Sequence, residues 1–137
     1  MSAWEKIAGD LKREREAERC LCFPERFREY LRTAGLPFGL DGYPGPGGEG
    51  GKADLFIGWR VLEEERELLS PGEICSALRP GGEARIFGLY RRPGRESPGT
   101  AAVSLGTVAG WLKTGPFNRY TLRKRGIYYD CRLQKDA

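Results

Sequence analysis

Residues 53–90 read ADLFIGWRVLEEERELLSPGEICSALRPGGEARIFGLY, and this stretch sets the fold. It holds two apolar runs, Leu55-Phe56-Ile57 and Ala84-Arg85-Ile86-Phe87, joined by an amphipathic segment. Short apolar runs bounded by glycine read as buried strands. Between them Ile74, Ala77 and Leu78 fall at helical spacing, so one helix face can lie on a sheet. Ser70 is placed to cap that helix, Pro71 suits its first turn, and Glu73 stands at the capping-box position. Pro80 cannot continue a helix and Gly81-Gly82 permits a tight turn, so Leu78-Arg79-Pro80-Gly81-Gly82 stops it. Strand, crossover helix and strand make a βαβ unit, which should be parallel and right-handed.

The 137 residues have room for one domain with a modest core. Apolar residues at 39% and charged residues at 31% fit a globular chain rather than a disordered one. No apolar run approaches the ~20 residues that cross a bilayer, so no membrane partner is expected. Met1-Ser2-Ala3-Trp4-Glu5 has no signal-peptide pattern, which makes a cytoplasmic location the expectation. The net charge of +4 is spread among interspersed acids and bases, a poor footprint for nucleic acid. The four cysteines, Cys20, Cys22, Cys75 and Cys131, lack the paired spacing of a zinc site and read as buried thiols. With no histidine in the chain, a Ser-His or Cys-His nucleophile is excluded, as is any histidine metal ligand.

Upstream, residues 2 to about 19 read as a helix with Trp4, Ile7, Ala8 and Leu11 on one face and a nearly all-charged second half. Cys20-Leu21-Cys22-Phe23 reads as a short strand or a buried connector. Pro24 opens a second helix with Phe27, Tyr30, Leu31 and Ala34 in register, and Gly35 fits its C-terminal cap. The glycine-rich run from Tyr43 to Lys52 should be exposed and poorly packed. Its Gly51-Lys52 is not a P-loop. Residue 46 is proline where a glycine is needed, Ala53 stands in place of Ser or Thr, and the run precedes a strand instead of following one. Downstream, a helix is predicted from about Thr100 to Lys113. Two β-rich runs follow, Arg119 to Arg123 and Ile127 to Leu133. Leu55, Ile57, Ile74, Leu78, Ile86, Phe87, Leu89, Trp111, Leu112, Leu122, Tyr129 and Leu133 make the predicted core. Tyr120, Tyr128 and Tyr129 beside Arg91, Arg92, Arg119, Arg123, Lys124 and Arg125 leave open a small RNA-binding module, although aromatics in strands are more often core.

Several of these residues carry a family resemblance. Asp54-Leu55-Phe56-Ile57, then Arg60-Val61-Leu62, then Leu78-Arg79-Pro80-Gly81-Gly82 before an apolar strand resembles the second half of a class I S-adenosylmethionine-dependent methyltransferase, closest to the quinone-type small-molecule group. In that family a fourth strand, a helix and an "LKPGG" turn lead into the fifth strand. Leu36-Pro37-Phe38 and Asp41-Gly42 resemble the approach to the fourth strand, Gly115-Pro116-Phe117 a turn near the end, and residues 119–135 the antiparallel last two strands. Leu40 to Gly48 is similar to the family's glycine motif, "LDxGxGPGG", with Tyr43 in place of its first glycine and no apolar strand before it. It is either a cofactor loop or a surface insert.

The resemblance covers residues 36–135 and implies strands four to seven of the parent. Residues 1–35 should then be a helical N-terminal segment standing where three strands would be. The expected fold is α/β: a truncated Rossmann-like methyltransferase sheet, parallel βαβ plus a C-terminal antiparallel hairpin, with N-terminal helices. The function the resemblance implies is a degenerate or incomplete methyltransferase-like domain that does not catalyse alone. The alternatives are a methyltransferase whose S-adenosylmethionine site is completed by a dimer or partner subunit, and the basic RNA-binding module. The cofactor-binding candidates by resemblance are Asp41, Gly45, Gly47, Gly58, Trp59 and Arg60, with no metal. An exposed sheet edge suggests a homo-oligomer or a partner subunit.

Overall fold

Ser2 starts the first helix: its hydroxyl accepts the backbone N–H of Glu5 at 3.2 Å, one of the orphan donors of a helix start. The computed structural model describes residues 2–14, 16–45, 52–61, 69–91 and 103–136. Helix α1 (Ala3–Leu11) buries Ala3, Ile7, Ala8 and Leu11. It ends well before Arg19. The charged run after Leu11 offers no apolar side chain to hold another turn against the sheet, and its polar groups are used otherwise. The Asp54 carboxylate accepts the backbone N–H groups of Glu18 at 2.9 Å and Arg19 at 2.6 Å.

That clasp delivers the chain into β1 (Cys20–Phe23), so the short run is a strand. Helix α2 (Glu25–Arg32) follows Pro24 and buries Phe27 and Leu31, with Gly35 at φ +71° just beyond it. Then come β2 (Leu40–Gly42) and β3 (Ala53–Trp59). Helix α3 (Pro71–Ala77) is capped as expected, Ser70 Oγ accepting the N–H of Glu73 at 3.1 Å. Strand β4 (Leu78–Arg91) starts at once. The Leu78–Gly82 segment is therefore a bulge inside β4 and not a turn ahead of it. Ala53 pairs with Leu78 and Leu55 with Glu83, so four residues of β4 (79–82) stand opposite the single Asp54 of β3. Gly81 takes φ +81° there. A Cβ on Gly82 would stand 2.9 Å from the Arg79 carbonyl oxygen, too close for any other residue.

Short β5 (Val103–Ser104) pairs with the end of β4 and leads into α4 (Leu105–Lys113), capped by Ser104. Strands β6 (Arg119–Arg125) and β7 (Tyr128–Gln134) close the chain as an antiparallel pair. The sheet order is β2-β1-β3-β4-β7-β6, parallel through β4 and antiparallel beyond it. Ile7, Leu11, Phe27 and Leu31 place α1 and α2 over Leu55, Ile57, Phe87 and Tyr128 on one face. Ile74, Val108 and Leu112 place α3 and α4 over Phe56, Ile86 and Tyr129 on the other.

The α/β class holds, but the N-terminal segment differs from the expectation. It is not purely helical: β1 lies directly against β3, and β2 follows it at the edge. The resemblance places three strands ahead of the fourth, and two parallel strands stand there. The sequence leaves β1 open between a strand and a connector and shows no sign of β2, because four and three residues are too few to show a period. A fully buried strand also shows no polar-apolar alternation. Of the predicted core, Leu89, Trp111 and Leu122 are only half-buried, and the other nine are buried. Among the described residues no helix is long and apolar enough to cross a membrane.

Candidate functional site

In an open parallel sheet, ligands gather at the carboxyl ends of strands where the strand order reverses. From β1 the chain runs through α2 to β2 on one side, and from β3 through α3 to β4 on the other. The reversal therefore lies between β1 and β3, where Phe23 pairs with Gly58.

Three connections meet there. After β1, Phe23-Pro24-Glu25 passes straight into α2 with no glycine. The Glu25 carboxylate sits in the first turn and accepts from Arg28 Nε at 3.1 Å. That bond holds its pKa below the usual range. After β2, Tyr43 turns back over β1 and β3. Its ring meets Phe23 edge-on at 6.1 Å and Phe56 at 5.9 Å. Burial, then the charge of Glu73, pushes its phenol pKa up. After β3, Arg60 takes φ +59° and donates its backbone N–H to the Phe87 carbonyl at 2.7 Å.

The candidate residues fall in three places. Gly58 is packed tight: a Cβ there would lie 2.8 Å from Val61 Cγ2 and 3.0 Å from Ile86 Cδ1. Trp59 points the other way, into an aromatic cluster under α1 and α2, 5.8 Å from both Trp4 and Phe27. Arg60 is buried at 7% exposure. Asp41 lies on β2, one strand away from the reversal, and pairs with Arg19 at 3.9 Å. It lines a cavity of about 370 Å³ at the sheet edge with Leu31, Arg32, Leu36 and Phe38. The glycine motif thus follows the edge strand, not the strand beside β3. Gly45 has φ +96°, and Gly47 lies outside the described residues. Tyr43, expected from the sequence to depart from the motif and to open an exposed, poorly packed run, instead packs on Phe23 and Phe56 and is the residue that reaches the reversal.

A second concentration of polar groups lies under α1. Arg85, only 3% exposed, donates to both oxygens of Asp130 at 3.2 and 3.0 Å and also binds Glu14. Arg132 reaches Glu14 at 3.4 Å and Glu83 at 3.1 Å. Tyr128 donates to Asp10 at 2.6 Å, and burial with that bond pushes its pKa far up. Each acid has a partner, so the network ties α1 and the segment after it to β4 and β7. Its sequence signal was Arg85, a charge inside an apolar run. Among the described residues no group of three or more Cys, Asp or Glu could hold a metal ion.

Tyr128 and Tyr129 are 2% and 0% exposed, so they form no stacking surface. Arg92 lies outside the described residues.

No family model matches the sequence, and a search of curated proteins finds no match. Solved structures do match. A SAM-dependent methyltransferase from Thermotoga maritima superposes with TM-score 0.63 at 12% identity, covering 98% of this chain and 89% of that one. An O-methyltransferase family protein from Burkholderia thailandensis gives 0.62 at 14% identity, covering 97% and 56%. A methyltransferase from Pyrococcus furiosus gives 0.56 at 17%, covering 99% and 84%. The chain has the fold of the class I S-adenosylmethionine-dependent methyltransferases. It spans little more than half the length of the Burkholderia protein.

Proposed function

We propose that this chain is a methyltransferase-fold domain whose cofactor crevice is filled by its own side chains, so that alone it binds S-adenosylmethionine weakly or not at all and transfers no methyl group. The observation that carries this reading is the Tyr43 ring seated on Phe23 and Phe56 at the strand reversal. A ligand entering there must lift that ring and expose the two phenylalanines. Exposing one buried aromatic costs about 1.5–3 kcal/mol, roughly one to two powers of ten in affinity. The turn after β1 adds to this. The start of α2 would favour an anion, but Glu25 already supplies one there. Asp41 lies one strand over from β1, opposite Leu21, and its carboxylate faces the Arg19 guanidinium at 3.9 Å. The residues present therefore fit the cofactor poorly.

Calorimetry with S-adenosylmethionine and S-adenosylhomocysteine on the purified chain tests this. The expected outcome is no measurable heat at micromolar ligand for the parent chain, and a gain of binding in Tyr43→Ala. Micromolar binding by the parent monomer, abolished by Asp41→Ala, would overturn it. A second reading, a site completed by another copy or a partner subunit, is favoured by the outer edge of β2, which no strand pairs among the described residues, and by the cavity that Asp41 lines beside it. Binding that appears only as the mass in solution doubles would support that reading against the first.

A further inference from the structure

Strand β6 is the other edge of the sheet. It reads Arg119-Tyr120-Thr121-Leu122-Arg123-Lys124-Arg125, with four cations and no acid. Every residue in it except Leu122 is exposed. It pairs with β7 on one side, and among the described residues no strand pairs with the other side. A row of backbone N–H and C=O groups is thus available to an added strand.

Alternation along the strand places Arg119, Thr121, Arg123 and Arg125 on one face. Their partners across β7 are Gln134, Arg132, Asp130 and Tyr128. The single acid in that row, Asp130, is already held by Arg85 at 3.0 Å. Arg125 shares it at 3.6 Å. Among the described residues Arg119, Arg123 and Lys124 have no ion pair. The edge therefore offers unpaired positive charge at Arg119 and Arg123, four residues or about 13 Å apart on that face, with Arg125 two residues further on sharing Asp130.

A second copy of the chain does not suit this edge, because two such strands would set cation against cation. A nucleic acid suits it poorly, since Tyr120 is its one exposed aromatic and lies on the face opposite the arginine row. We propose that β6 is a docking edge for an acidic, extended peptide segment of a partner protein. The segment adds as a further strand, with Asp or Glu at alternate positions opposite Arg119, Arg123 and Arg125.

The test uses the full chain and a fluorescent nine-residue peptide alternating glutamate and valine. Controls are a peptide with its glutamates in one block, a peptide alternating lysine and valine, and polyuridylate RNA. The alternating acidic peptide should bind, and amides of residues 119–125 should gain protection from hydrogen exchange. The blocked peptide should bind more weakly. Each exposed ion pair contributes about two- to fivefold. The double variant Arg119→Glu/Arg123→Glu should therefore lose roughly tenfold or more for the acidic peptide and gain binding to the lysine peptide. Arg123→Gln, a milder change, should show a smaller loss with an unaltered melting temperature. Absence of binding, binding without protection of β6, or stronger competition by polyuridylate would overturn the proposal.

Discussion

The two faces of the sheet solve the same packing problem differently. Under α3 and α4 the layer is mainly apolar, built from Phe56, Ile74, Leu78, Ile86, Val108 and Leu112. Under α1 and α2 an aromatic group of Trp4, Phe27 and Trp59 adjoins a sealed ionic group of Arg85, Asp130 and Glu14. The difference begins with the helices. Ser104 and Ser70 start α4 and α3 with apolar turns to lay down. Helix α1 instead runs into a charged segment that must still cross the sheet, and β4 and β7 meet it with charges of their own. An apolar contact tolerates any side chain of similar volume, whereas an ionic one tolerates only changes made to both partners at once.

The largest expected effect comes from breaking the ionic face. Asp130→Ala leaves the Arg85 guanidinium buried without its main acceptor and should cost about 3–5 kcal/mol in urea unfolding. Replacing both partners, Arg85→Met with Asp130→Leu, should recover most of that loss. A double variant as unstable as the single one would show that the network does more than balance its own charges.

Leu78→Ala should come next, at roughly 2–5 kcal/mol, because it empties a fully buried position where α3 meets β4. Leu78→Met should cost under about 1.5 kcal/mol. Thermal melts of the pair measure how forgiving the apolar face is, and a Leu78→Ala variant that melts like the parent would break the contrast.

The smallest effect is set by pH. Cys20 and Cys22 lie under α1 and α2 and Cys131 under the other helices, and burial, the largest cause, raises all three thiols from 9.0. Cys22 is pushed up to about 12. A raised folded pKa means that the native state keeps a proton the unfolded chain gives up. The stabilisation is complete below about pH 9 and disappears as pH rises through the folded value. The loss is at most ~1.4 kcal/mol per pH unit for each thiol. Urea midpoints at pH 8, 9 and 10 should fall less steeply in Cys22→Ala than in the parent. Equal slopes would remove burial as the cause.

The half of the fold that the sequence made legible is the half with long elements. Ser70, Ile74 and Leu78 announce α3 and its seat, and the runs around Tyr120 and Tyr129 announce the closing hairpin. Strands β1 and β2 stayed ambiguous or unseen because three or four residues cannot display a period. The site was less legible for a different reason. Asp41 and Gly45 match a motif by spelling, but Asp41 lies on the edge strand β2 and Gly45 just after it, and pairing order is not written locally. Trp59 stands next to Gly58 in sequence yet serves the opposite face, as strand alternation requires. The seat of Tyr43 on Phe23 and Phe56 could be recognised only once β1 was known to run beneath it.

Strand β7 follows every other described strand in sequence and yet lies between β4 and β6. On a ribosome, β4 emerges about forty residues ahead of the neighbour it needs, and at roughly 5–20 residues per second it waits some seconds with one edge bare. Strand β6 arrives sooner but has no partner until β7 emerges. A stop codon before Tyr128 would leave β4 and β6 with no shared neighbour and would abolish the antiparallel half of the sheet. A lesion of similar size at the opposite edge would remove only the short β2. The genetic tolerance of the two ends of this sheet should therefore be unequal.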